Sequence, residues 1–154
     1  MTGAGEPSGY SGTPLPRKLG VKPEHRVLLV GAPDGFALAG LPPGVSVTAR
    51  LACSEEPVPP GGHDVTVAFC ADRAALELCF GPLKAALSPA ASLWVAWPKK
   101  AAKVPTDLDE AAVREHGLAG GLVDVKICAI DRTWSGLKFV YRLADRSSVS
   151  STQV

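Results

Sequence analysis

Residues 64–97 read DVTVAFCADRAALELCFGPLKAALSPAASLWVAW, and this stretch decides the fold. Asp64–Cys70 is an uninterrupted apolar run with β-branched residues. Such a run is the pattern of a strand buried on both faces. Asp72–Leu87 then places Leu76, Cys79, Phe80, Leu83 and Leu87 at helical spacing, with Asp72 as the N-cap. Gly81-Pro82 lies inside that helix and predicts a bend. Ser92–Trp97 is a further buried strand. Strand, helix and strand in this order predict a right-handed crossover between parallel strands.

Upstream, His25–Gly31 repeats the buried-strand pattern and ends at Ala32-Pro33-Asp34-Gly35. Phe36–Leu41 leaves room for one short helix before Pro42-Pro43-Gly44. Val45–Leu51 alternates, with Val45, Val47, Ala49 and Leu51 on one side. This predicts a strand near the sheet edge with one exposed face. Ala52–His63 is a proline-rich loop carrying Glu55 and Glu56. Earlier still, Thr13–Gly20 predicts one helical turn, with Leu15 and Leu19 docking on the domain.

Downstream, Pro98–Thr106 is a loop with three lysines, and Thr106 or Asp107 is placed to cap a helix that ends near Gly117 or Gly120-Gly121. Leu122–Ile130 and Gly136–Leu143 are strands joined by Asp131–Ser135, hence a hairpin. Met1–Gly9 and Ala144–Val154 read as disordered arms around a single domain over 10–143.

The segment from Asp64 to Trp97 and the terminal hairpin resemble the class I S-adenosylmethionine methyltransferases. That resemblance implies an α/β, Rossmann-like, mostly parallel six-stranded sheet of order 2-1-3-4-6-5, with strand 6 antiparallel. In that family an acid and alternating glycines follow strand 1. Here the turn is Gly31-Ala32-Pro33-Asp34-Gly35, and Pro33 removes a backbone donor. A second resemblance rests on Tyr10-Ser11-Gly12-Thr13-Pro14-Leu15, Trp97-Pro98-Lys99-Lys100, Val104-Pro105-Thr106-Asp107-Leu108 and Thr133-Trp134-Ser135-Gly136-Leu137-Lys138. These stretches are similar to a short bacterial family defined only as a domain of unknown function. The match implies a cytosolic bacterial protein of one domain.

Composition narrows the function classes. The chain of 154 residues has a formal net charge of +1 and 6% aromatic residues, which gives neither a basic field nor stacking platforms for nucleic acid. No run of eighteen apolar residues predicts a membrane span, and the N-terminus does not read as a signal peptide. The expected location is therefore cytoplasmic. Cys53, Cys70, Cys79 and Cys128 are far apart in sequence, and His25, His63 and His116 are scattered. The cysteines therefore read as buried free thiols in a reducing compartment, with no metal set.

In open α/β sheets, ligands bind beyond the carboxyl ends of the strands, where strand order reverses. That rule selects Pro33, Asp34, Asp72, Trp97, Lys99 and Lys100 as a ligand-binding rim. The lysines suit an anion, and Trp97 supplies an apolar wall. Ordinary surface ion pairs and a helix cap explain the same charges. Trp134, Ser135 and Lys138, near the hairpin turn, form a second candidate, for protein interaction. Lys126 and Lys138 also read as guards of a sheet edge. No catalytic residue, cofactor or metal is assigned. The expected function is a non-enzymatic binding or protein-interaction domain, including self-association. The alternative is a reduced methyltransferase-like protein that binds an adenosine-containing or other anionic small molecule at the rim.

Overall fold

Apolar strands that expose neither face must lie inside a sheet covered on both sides. In the computed structural model, which describes residues 13–54 and 56–145, β1 (Arg26–Val30), β3 (Val65–Phe69) and β4 (Ser92–Pro98) hold those inner positions. β2 (Ser46–Arg50) and β5 (Leu122–Ala129) form the edges, and β6 (Trp134–Tyr141) lies between β4 and β5. The order is β2-β1-β3-β4-β6-β5, with β1 to β4 parallel and β6 antiparallel to both its neighbours. This is the topology that the methyltransferase resemblance implies. Val27, Leu29, Val65, Val67, Leu93 and Val95 are all buried, as two-sided coverage requires. No helix among the described residues is long and apolar enough to cross a membrane. The expected arm at 1–9 and all but the first two residues of the expected tail at 144–154 lie outside the described residues.

Alternate residues of each strand feed two cores. One holds Leu28, Val30, Ala68, Leu93, Val95, Leu137 and Phe139. Two helices cover it: α2 (Arg73–Ala86) through Leu76, Cys79, Phe80 and Leu83, and α3 (Glu110–Ala119) through Ala112 and Val113. Pro82 stands inside α2 and offers no donor to the turn before it, on the side where Leu78 meets solvent. The second core holds Val27, Leu29, Val65, Val67, Phe69, Trp94 and Ala96. Its one helix among the described residues is α1 (Leu15–Leu19), which brings Leu15 and Leu19. The Trp94 indole N–H donates to the Leu19 carbonyl at 3.0 Å, inside the core.

Three local expectations are corrected. Phe36–Leu41 is not a helix. Gly35 and Gly40 both take positive φ, which confines the segment to less than two helical turns, and Phe36, Leu38 and Leu41 pack on the second core as a loop instead. α3 is capped by Asp109, whose carboxylate accepts from the Ala112 N–H at 2.8 Å, and not by Thr106 or Asp107. β2 is exposed on both faces, including Val47 and Ala49, because no helix among the described residues packs over it.

At one point the packing requires a missing side chain. A Cβ at Gly117 of α3 would stand 2.0 Å from the Phe139 ring, so the helix seats on β6 only where residue 117 has no side chain. Gly117→Ala should therefore destabilise the fold by about 1–3 kcal/mol, as overpacking does, in a urea melt. A Gly117→Ala, Phe139→Leu pair should recover part of that loss. Trp94→Phe keeps an aromatic ring but strands the buried Leu19 carbonyl. The expected cost is about 1–3 kcal/mol or more, with α1 protected less from hydrogen exchange than in the parent.

Candidate functional site at the carboxyl ends of the strands

β1, β3 and β4 run parallel, so their carboxyl ends share one rim. After β1, Gly31 adopts φ +68° and donates its N–H to the Arg50 carbonyl at 3.0 Å. A Cβ there would come within 3.0 Å of the Phe69 carbonyl, so this turn depends on glycine. Pro33 is half-buried and Asp34 exposed beyond it. After β3, Asp72 caps α2 by accepting from the Ala75 N–H at 2.9 Å, and Asp107 accepts from the Arg73 N–H at 2.7 Å. Two carboxylates of the chain itself thus satisfy the start of α2.

The reversal of strand order falls between β1 and β3. The hollow lined by Val30, Arg50, Ser54, Val58, Cys79 and Leu83, among others, encloses about 10 Å³. That volume suits a single water. The proline-rich loop folds back over it. Arg50 donates to the Glu56 and Pro57 carbonyls at 3.2 and 2.8 Å, and Val58 is buried.

A roomier hollow of about 390 Å³ opens farther along the rim. Trp97, Lys99 and Lys100 from the end of β4 line it, with Ser135 and Ile127 from the hairpin and Asp109, Glu110 and Ala111 from the start of α3. The Lys99 N–H donates to the Thr133 carbonyl at 2.7 Å, which ties the end of β4 to the turn before β6. Trp97 is buried and forms a fixed wall. Both acids are engaged by the chain: Asp109 caps α3, and Glu110 pairs with Arg114 at 2.7 Å, which also meets Asp124 at 2.9 Å. The hollow thus carries two lysines beside two carboxylates that the chain itself engages.

The structure thus brings Trp97, Lys99 and Lys100 together with Ser135. It places Pro33, Asp34 and Asp72 outside that hollow. Trp134 begins β6, is half-buried, and packs edge-on against Phe69 with ring centroids 5.2 Å apart. Lys138 stands opposite Lys126 on the hairpin. Burial, then the charges of Lys126 and Lys22, hold its ammonium below the ordinary lysine range. The edge lysine Lys126 also donates to the Lys18 carbonyl at 3.0 Å, so it anchors α1. Ile127, Asp109 and Glu110 were not among the expected site residues. Their only signal is the acidic run Asp107-Leu108-Asp109-Glu110, which reads as helix capping.

The cysteines show a second departure from the sequence reading. All four are free thiols, yet Cys53, Cys70 and Cys79 have their sulfurs within 4.8 Å of one another. Elsewhere, a larger hollow of about 580 Å³ lies beside α1, lined by Pro14, Arg17, Val21, Lys22, Pro23, Gly40 and Pro42. It is away from the strand ends, and no predicted site residue lines it.

No protein-family model matches the chain, and no curated protein does. Solved structures do. A SAM-dependent methyltransferase from Aquifex aeolicus superposes with a TM-score of 0.56 at 17% identity, over 80% of this chain and 85% of that one. A fibrillarin/NOP5P complex chain gives a TM-score of 0.55 at 14% identity, over 77% and 73%. The sheet order, the antiparallel sixth strand and these neighbours together give the chain a Rossmann-like, methyltransferase-like fold.

Proposed function

We propose that the chain binds an anionic small molecule in the hollow between the end of β4, the hairpin and the start of α3. One observation carries this reading: the fold gathers Trp97, Lys99, Lys100 and Ser135 around about 390 Å³. Small-molecule sites usually measure about 300–1,000 Å³ and combine an apolar wall with a few polar groups. Here the lysines attract the anion, the Ser135 hydroxyl offers a directed hydrogen bond, and Trp97 fixes the shape. An adenosine-containing anion suits this set, with its base on the apolar side and its charge at the lysines. The methyltransferase-like neighbours support the reading of a reduced methyltransferase-like protein.

Sheet edges favour a second reading, association with a further copy or a partner strand. Val47 on β2 is 42% exposed, and Val125 and Ile127 on β5 are 55% and 45% exposed. Unpaired edges with apolar side chains invite added strands. Sedimentation at rising concentration should then show a dimer, and a monomer throughout would remove self-association.

The binding reading is tested by thermal shift with S-adenosylmethionine, S-adenosylhomocysteine and nucleotides, followed by calorimetry. A true ligand stabilises the fold by mass action, about 2.7 kcal/mol at a hundredfold excess over Kd. The Lys99→Ala, Lys100→Ala pair should weaken that ligand by about tenfold or more while circular dichroism stays unchanged. No shift across the panel, or full affinity in the folded double variant, would overturn the assignment.

A further inference from the structure

Cys53 follows β2, Cys70 follows β3, and Cys79 faces both from the second turn of α2. Cys70 Sγ lies 3.8 Å from Cys79 Sγ, and all three sulfurs fall within 4.8 Å of one another. Three sulfurs arranged in a plane around one ion at about 2.3 Å stand about 4 Å apart. The observed triangle needs less than 1 Å of closure to reach that geometry. We infer that Cys53, Cys70 and Cys79 form a three-thiolate site for a thiophilic d10 metal ion, Zn(II) or Cu(I).

The donor set selects the metal class. Thiolates prefer soft ions, and among the described residues no carboxylate joins the cluster to favour magnesium or calcium. All three thiols lose their protons to solvent as the ion binds. A divalent ion on three thiolates carries one net negative charge.

Access comes from the α2 face. The one-water hollow beside the ends of β1 and β2 touches Cys79 and is also lined by Arg50 and Ser54. It gives the ion an approach and room for a fourth ligand, as in three-ligand zinc sites with an open position. Gly31 seats the turn beside Cys53, since a Cβ there would come within 3.0 Å of the Phe69 carbonyl. Bound metal would clamp the proline-rich loop onto β3 and α2.

Titration of the reduced full chain with Cd(II), under anaerobic conditions, tests the site through the sulfur-to-metal absorption band. One equivalent should saturate the band and raise the melting temperature. Zn(II) against a chromophoric chelator and Cu(I) against bicinchoninate then decide which ion binds more tightly. Cys53→Ser, at the half-buried position, should abolish the three-thiolate band and the thermal shift, with unchanged circular dichroism. Cys128→Ser should keep both. Should Cys53→Ser fail to fold, Cys53→Ala takes its place, and the stoichiometry and band intensity of the parent decide. The inference is overturned if the folded chain, with all four thiols reactive after denaturation, shows no band. It is also overturned if the band survives loss of Cys53, or if it disappears with Cys128.

Discussion

The fold hangs on one buried hydrogen bond, from the Trp94 indole to the Leu19 carbonyl. Strands that are apolar on both sides need cover on both sides. On the α2 and α3 face two full helices supply it. On the other face the only described helix has five residues, too few to be stable alone. Trp94 lies at the centre of that face, fully buried, and turns the last carbonyl of α1 into its partner. Leu15, Leu19 and Val21 then close over β1 and β3. Lys18 and Lys126 add reciprocal ties between α1 and the outer strand, each donating to a carbonyl on the other's element.

The methyltransferase-like sheet has been refitted around a different use of space. Beside the ends of β1 and β2, Val58 and the Arg50-bound loop border a hollow of a single water volume. Open room lies one step along, where β4 meets the hairpin and the first turn of α3. The Asp72 and Asp107 carboxylates close the start of α2, which removes the usual helix terminus from anion binding there.

Most of this architecture is written in hydrophobic pattern. β1, β3 and β4 are legible because two-sided burial leaves no polar alternation, and the hairpin because only Ile130–Thr133 separates its strands. Phe36–Leu41 misleads because its apolar residues do pack inward, while Gly35 and Gly40 deny the segment a helix. Trp97, Lys99 and Lys100 are legible as a group since they are neighbours in sequence. Their companions Asp109, Glu110 and Ile127 come from other elements, and only tertiary folding brings them near. The cysteine triangle is invisible for the same reason. Its members sit at the ends of two non-adjacent strands and on a helix, so no ligand spacing exists along the chain.

The position of β6 has a consequence for the order of assembly during synthesis. Domains take shape as the chain leaves the ribosome, amino end first. β5 is made before β6, yet it touches the sheet only through β6. Until Tyr141 emerges, β5 has no neighbour to bond, and β4 presents a bare edge of apolar residues. The growing protein therefore carries an open flank that its own final strand must enter as a wedge, between one strand already placed and another still waiting.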